Sequence, residues 1–149
     1  MQKITVNTGL DSFILLDRIS QVETRLIQGI RTFKNAPAYL GIEMLAQLGA
    51  FHVRYVTDFQ RHAFLLKINQ CRVSSQTDLL GTYHLSGVLV SRSASAFSYE
   101  LQAKKEGRVQ IEGVFLFATV DYDSHFKQEN LEQHYRDVFS CLQSVTKGE

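Results

Sequence analysis

The segment from Ala38 to Val56 restricts the possible folds more than any other part of the chain. It follows Pro37, which is the only proline in the sequence. Proline suits the first turn of a helix and Asn35 can cap one, so the sequence predicts a helix over Ala38–Val56. Apolar side chains point in nearly every direction around this helix. A helix that is apolar almost all round is buried, so the rest of the chain must surround it.

The segments on either side have the pattern of strands. Ile19–Phe33 alternates loosely in polarity and is rich in β-branched residues, which predicts one long strand. Turn-like residues at Gln76–Asp78, Ser93–Ser95 and Lys105–Gly107 divide the chain after the helix, and the last of these predicts a tight hairpin. Short turns between consecutive strands indicate an antiparallel sheet. The predicted strands are Ala63–Val73, Leu79–Ser91, Ala96–Lys105 and Val109–Asp121.

The carboxyl-terminal part carries apolar residues at helical spacing. They predict an amphipathic helix over Asn130–Leu142. Since an isolated helix of this length is marginal in water, its apolar face should pack on the domain or on a partner. The residues of that face are Leu131, Tyr135, Val138, Phe139 and Leu142.

Together these elements predict an α+β fold in which an antiparallel sheet wraps a long central helix, with an extra carboxyl-terminal amphipathic helix. The order of elements resembles the hot-dog fold. We expect one domain over residues 1–149, with a core at about 11–121 and a helical extension at 122–149. A single sheet leaves an edge strand unpaired, and Ala63–Val73 is the predicted edge through which a homo- or heterodimer would form.

Composition excludes several classes of function. The 149 residues carry a formal charge of only +1, and the charges are scattered, so a nucleic acid is not an expected partner. No segment is long and apolar enough to predict a membrane span. The apolar run at Phe13–Leu16 is too short for a secretory signal. Both observations favour a cytoplasmic protein. Cys71 and Cys141 lie far apart and predict free thiols. No metal-binding or cofactor-binding motif is present, so we expect neither a metal nor a cofactor.

Four polar residues interrupt the apolar helix. Relative to Glu43, Arg54 lies at about 20° and Gln47 at about 40° around the helix axis, whereas His52 lies at about 180°. Glu43, Gln47 and Arg54 therefore share one narrow stripe. This stripe either faces solvent or lines an apolar cavity, and in a cavity the Glu43 carboxylate would suit general acid–base catalysis. A single histidine on an apolar face, such as His52, is typically a hydrogen-bonded core residue.

Several segments, in order, resemble the (3R)-hydroxyacyl-acyl-carrier-protein dehydratase family of hot-dog proteins. They are DSFILLDRI (Asp11 to Ile19), APAYLGIEMLAQ (Ala36 to Gln47), HAFLLKINQCRV (His62 to Val73) and QTDLLGTYHL (Gln76 to Leu85). The helix segment is most similar to dehydratase-like proteins of aryl polyene pigment synthesis. The resemblance covers residues of about 11–120 and implies an acyl thioester of acyl carrier protein or coenzyme A as partner.

The resemblance also assigns roles to residues. Glu43 stands at the position of the catalytic carboxylate. Gln47 stands at the helix glutamine four residues later, which makes it, with Ala38 and Pro37, a candidate for binding the oxyanion or the substrate. Pro37 matches the family's proline, and Ala38 replaces the glycine whose backbone N–H forms the oxyanion hole. Because a backbone N–H at a helix start can stabilise an oxyanion whatever its side chain, alanine can keep that role.

One family residue is missing. The family has a histidine fourteen residues before the carboxylate, where this chain has Gly29. Elimination of water from a 3-hydroxyacyl thioester needs one group to take a proton from C2 and another to protonate the leaving hydroxyl. His62, at the start of the predicted edge strand, is the candidate substitute, since it could approach Glu43 of a partner chain. His84, His125 and His134 are predicted to lie on the surface.

Three functions remain open from the sequence. The first is an active dehydratase-like enzyme for acyl thioesters in fatty acid or polyene synthesis. The second is a catalytically inactive hot-dog subunit that pairs with a complete dehydratase. The third is a hot-dog thioesterase, in which the carboxylate activates water. The missing histidine favours the second and third functions, whereas the family-like segments favour the first and second.

Overall fold

The computed structural model describes residues 14–74, 78–122 and 128–144. Six strands form one antiparallel sheet in the order β1-β2-β4-β5-β6-β3, and α1 packs on one face of it. The α+β architecture predicted from the sequence is confirmed. The elements are β1 (Arg18–Glu23), β2 (Leu26–Ala36), α1 (Tyr39–Val56), β3 (His62–Val73), β4 (Leu79–Arg92), β5 (Ala96–Lys105), β6 (Arg108–Val120) and α2 (Gln128–Ser144).

The region predicted as one long strand is a hairpin, so that prediction was wrong. The chain turns at Thr24 and Arg25, and β1 then pairs antiparallel with β2. Neither residue is a glycine or an asparagine, so the usual turn signal is missing. Contacts with β4 hold the turn instead: the Arg25 Nη2 donates to the Leu89 carbonyl oxygen at 3.0 Å, and the Leu89 N–H donates to the Arg25 carbonyl oxygen at 2.9 Å.

The central helix begins one residue later than predicted and is buried as expected. Leu45 and Leu48 are both completely inaccessible to solvent. Asn35 does not cap the helix, since it belongs to β2, and the N-cap residue Ala38 makes no side-chain cap hydrogen bond. Packing of the buried part of the helix, from Gly41 onwards, is therefore the main source of its stability.

Two glycines allow α1 to lie very close to the sheet. A Cβ atom at Gly41 would stand 2.2 Å from Cδ1 of Ile111, and one at Gly49 would stand 2.6 Å from Cζ of Phe117. Both neighbours belong to β6. A larger residue at either glycine would therefore require the β6 side chain or the helix itself to shift.

The predicted carboxyl-terminal helix is present and packs on the domain. Tyr135, Val138, Phe139 and Leu142 are buried. The Phe139 ring lies 6.1, 5.8 and 5.4 Å from the rings of Phe51, Tyr55 and Phe59, respectively. Helix α2 thus covers the carboxyl-terminal half of α1.

Three smaller predictions concern the turn between β5 and β6, the two cysteines and the edge strand. Glu106 and Gly107 have φ values of 53° and 79°, as a tight hairpin between β5 and β6 requires. Neither Cys71 nor Cys141 forms a disulfide among the described residues. Strand β3 lies at one edge of the sheet, as predicted. The predicted turn at Gln76 and Thr77, and the start of the first family-like segment at 11–13, lie outside the described residues.

None of the helices in the described ranges is long and apolar enough to cross a membrane.

His52 is a hydrogen-bonded core residue, as predicted. Its side chain is completely buried; Nε2 lies 2.7 Å from the Glu23 carbonyl oxygen, and Nδ1 lies 2.6 Å from the Tyr99 hydroxyl. Since a carbonyl can only accept, Nε2 carries the proton and Nδ1 accepts from Tyr99. Burial lowers the pKa of His52, although the hydrogen bond to Glu23 opposes that change, and burial raises the pKa of Tyr99. The neutral imidazole therefore fits the folded state.

This burial predicts a loss of stability in mild acid. The unfolded imidazole takes up a proton as the pH falls below about 6.5, whereas the folded imidazole does so only at lower pH, so the unfolded state gains protons first. The free energy of unfolding should therefore fall by up to about 1.4 kcal/mol per pH unit in this window. Urea titrations between about pH 7.5 and 5.5 measure this slope.

The variant His52→Gln should reduce the slope even if it lowers stability at every pH. The matched control His84→Gln makes the same change at an exposed imidazole. Equal slopes for His52→Gln and the unchanged protein would show that His52 is not the group that titrates.

Candidate functional site

A cavity of about 240 Å³ lies along the polar stripe of α1. Glu43, Gln47 and Arg54 all line it, and the small side chains of Ala46 and Ala50 leave room between them. The other lining residues are Phe51 of α1 and residues from other parts of the chain, and most of them are apolar. They are Ile14, Phe51, Ala63, Phe64, Leu65, Phe117, His134, Tyr135 and Val138.

The three polar residues of the stripe differ in exposure along the helix. Glu43 is exposed, Gln47 is half-buried, and Arg54 is only 6% exposed. The stripe thus runs from solvent at the amino-terminal end of α1 into the interior at the carboxyl-terminal end. We call the solvent-exposed end of the stripe, at Glu43, the open end of the cavity, and the buried end, at Arg54, its closed end.

Gln47 holds the segment before β1 over the helix. Its Oε1 accepts a hydrogen bond from the Leu15 N–H at 2.7 Å. The neighbouring Ile14 lines the cavity. The side chain predicted to bind substrate therefore also positions part of the cavity wall.

Arg54 is a buried cation. Its Nη2 donates to the Ala63 carbonyl oxygen at 3.1 Å, and its guanidinium lies 3.7 Å from the centre of the Tyr135 ring. Burial lowers the pKa of Arg54, and the nearby hydroxyls of Tyr135 and Tyr122 partly oppose this effect. No carboxylate of the described residues lies within 4.0 Å of it.

The start of α1 offers backbone donors, although Pro37, Ala38 and Tyr39 do not line the cavity. The N–H groups of Leu40 and Gly41 donate to the carbonyl oxygens of Pro37 and Ala38 at 3.1 and 3.0 Å. The N–H groups of Ala38 and Tyr39 have no backbone acceptor within the described ranges. Glu43 follows Ala38 by five residues, or about 7.5 Å along the axis. A carboxylate and donors for an oxyanion thus occupy the same end of the helix.

The histidines differ in whether they line the cavity, and one of them does not lie where the sequence predicts. His62 lies at the start of β3, with its ring 5.8 Å from that of Tyr122, and does not line the cavity within one chain. His134 was predicted to lie on the surface, and this was wrong: it is 2% exposed and lines the cavity with Glu43. His84 is exposed as predicted, and residue 125 lies outside the described ranges.

The position of the missing family histidine is closed. Gly29 belongs to β2, and a Cβ atom there would stand 2.8 Å from the Arg18 carbonyl oxygen and 3.3 Å from Cδ1 of Leu48. The first contact involves the backbone of β1, which cannot rotate away as a side chain can. The strand pairing therefore leaves no space for an imidazole at this position.

A second hollow lies on the other face of the sheet. It measures about 350 Å³ and is lined mostly by exposed or half-buried residues of β3 to β6, among them Arg72, Glu100, Gln102 and Glu112. Charged walls suit an apolar ligand poorly. No group of three or more potential metal ligands occurs among the described residues.

No protein-family model and no curated protein matches the chain. Several solved structures have a similar fold. One is the dehydratase heterocomplex ApeI:P from Xenorhabdus doucetiae, with 16% identity over 76% of this chain and 86% of that one, and a TM-score of 0.62.

Two similar structures are described as thioesterases. One, from Haemophilus influenzae, has 9% identity over 80% of this chain and 88% of that one, with a TM-score of 0.64. The other is a hypothetical thioesterase with coenzyme A from Streptococcus pneumoniae. It has 12% identity over 72% of this chain and 88% of that one, and a TM-score of 0.60. At such identities the likeness concerns the fold alone. The antiparallel sheet, the helix packed on it and these likenesses together show that the chain has the hot-dog fold.

Proposed function

We propose that this chain is a dehydratase-like protein that binds acyl thioesters of acyl carrier protein or coenzyme A. The observation that carries the proposal is the cavity along α1, which is mostly apolar and has Glu43 at its open end. An apolar cavity with a few convergent polar groups is the usual form of a small-molecule site. The acyl chain would occupy the cavity, and the thioester would stay near Glu43.

The helix start suits the thioester carbonyl. Proton removal from C2 of an acyl thioester places negative charge on the carbonyl oxygen. The N–H of Ala38 and the positive end of the helix dipole can stabilise that charge. Pro37 fixes the backbone just before these donors.

Dehydration requires a base and an acid. The base removes the proton from C2, the acid protonates the hydroxyl on C3, water leaves, and the C2–C3 double bond forms. Glu43 would perform one of these transfers. His134 lines the same cavity and is the histidine of this chain best placed for the other, while His62 of a second chain remains the alternative from the sequence.

A second candidate function is a catalytically inactive subunit that pairs with a complete dehydratase. The closed space at Gly29 favours it, because the family's histidine cannot be accommodated there. A thioesterase is a third candidate, since Glu43 is exposed and could take a proton from a water molecule that attacks the carbonyl and expels the thiol.

The variant Glu43→Gln separates these functions. If Glu43 transfers a proton, the variant should lower turnover of a 3-hydroxyacyl thioester by about 10²- to 10⁴-fold. Its free energy of unfolding should change by less than about 0.5 kcal/mol, because the side chain is exposed. Mass spectrometry would follow the reaction, since dehydration and hydrolysis give products of different mass. Glu100→Gln changes an exposed carboxylate outside the cavity and serves as the control.

The same assay is then run with a complete paralogous dehydratase added. Turnover that needs the paralogue and is unaffected by Glu43→Gln would contradict a catalytic role for Glu43 and indicate the inactive subunit. Release of free acid without an unsaturated product would indicate the thioesterase.

The edge strand β3 is the proposed surface for a second chain, either another copy or a paralogue. Three consecutive apolar residues, Phe64, Leu65 and Leu66, are 39%, 37% and 56% exposed there. An edge strand with one unpaired side and exposed apolar side chains is favoured for pairing with another chain. Because Ala63–Leu65 also line the cavity, a partner at β3 would lie beside the site.

A charge on this edge should break the dimer. We expect Leu66→Asp to convert a dimer into a monomer, measured by sedimentation velocity, because the carboxylate would lose its hydration in an apolar interface. Val90→Asp makes the same change at an apolar residue of β4 that is 45% exposed, and should leave the dimer intact. A chain that is monomeric alone and with paralogues, or a dimer that survives Leu66→Asp, would contradict this interface.

A further inference from the structure

Arg54 has more hydrogen-bonding capacity than its surroundings use. A guanidinium has five N–H donors. The Ala63 carbonyl accepts from Nη2, and Nε is buried without an acceptor among the described residues. The Tyr135 ring stabilises the positive charge of the guanidinium. It does not accept hydrogen bonds from the remaining N–H groups as a carboxylate would.

An uncompensated buried cation is costly, and the cost falls when an anion binds beside it. Isolated charges away from water are strongly destabilising unless they are paired. No carboxylate within 4.0 Å pairs with Arg54 in the parts of the chain that the structure describes. The guanidinium nevertheless lines the cavity. A ligand in that cavity could therefore supply the missing negative charge.

The position of Arg54 determines which part of a ligand it would meet. Arg54 follows Glu43 by eleven residues, which is about 16 Å along the helix axis. The two residues mark opposite ends of the cavity, one exposed and one buried. An acyl chain whose thioester stays near Glu43 would bring its far end towards Arg54.

Resting on the acyl-thioester site proposed above, we propose that Arg54 binds a carboxylate at the far end of the acyl chain. The cavity would then select thioesters of dicarboxylic acids over those of plain fatty acids. A planar guanidinium can bind a carboxylate through two parallel hydrogen bonds, which gives both affinity and geometric selectivity. A terminal methyl group would instead leave the Nε–H of Arg54 without an acceptor.

Binding of two matched ligands tests this selectivity. The probes are the amide analogues of decanoyl-pantetheine and sebacoyl-pantetheine, which have the same chain length and cannot be hydrolysed. Isothermal titration calorimetry on the full chain should show that the sebacoyl analogue binds at least about tenfold more tightly, as expected for a buried hydrogen bond to a charged group. Equal binding, or tighter binding of the decanoyl analogue, would overturn the proposal.

Variants at Arg54 assign the selectivity to this residue. Arg54→Met should bind the decanoyl analogue more tightly than the sebacoyl analogue, and Arg54→Lys should keep the preference for the carboxylate because it keeps the charge. Arg72→Met removes an exposed arginine outside the cavity and should change neither affinity. A preference that is the same in Arg54→Met as in the unchanged protein would overturn the assignment. If Arg54→Met does not fold, the proposal is still tested by Arg54→Lys and by the comparison of the two analogues on the unchanged protein.

The two proposals fail in different ways. If neither analogue binds the unchanged protein, the acyl-thioester site itself is wrong. If both bind with equal affinity, the acyl-thioester site stands and only the role of Arg54 is wrong.

Discussion

The close contact between α1 and the sheet determines where the cavity lies. Gly41 and Gly49 stand at about 160° and 240° around the helix axis relative to Glu43, so they face away from the polar stripe. A Cβ atom at either glycine would collide with a β6 side chain, so the glycines mark the face of the helix that lies closest to the sheet. The stripe of Glu43, Gln47 and Arg54 is therefore held on the opposite side. There α2, β3 and the segment before β1 enclose it.

Much of this arrangement could be predicted from local sequence patterns. The all-apolar helix and strands β3 to β6 follow from periodicity and turn residues, and their observed ends lie within a few residues of the predicted ones. The β1–β2 hairpin could not be predicted this way, because Thr24 and Arg25 are held by contacts with β4. The face of α1 that lies closest to the sheet depends on contacts with β6, which are distant in sequence.

The candidate site could be predicted only in part. Helical spacing placed Glu43, Gln47 and Arg54 on one stripe, but their graded exposure depends on α2, which folds back from the end of the chain. His134 was missed for the same reason. The amphipathic pattern of α2 identifies its apolar face, and no local signal shows that a histidine beside that face lines a cavity formed with α1. The closure at Gly29 likewise depends on the pairing of β1 with β2.

An acyl chain that lies along the polar stripe of α1 should change the NMR shifts of the residues that line the cavity. Titration of isotopically labelled protein with the amide analogue of decanoyl-pantetheine measures these backbone and side-chain shifts. We expect the largest shifts at Glu43, Ala46, Ala50, His134 and Val138, which line the cavity. Shifts confined to Ser86, Gln102 and Glu112, in the hollow on the other face of the sheet, would contradict this expectation, as would the absence of any shift.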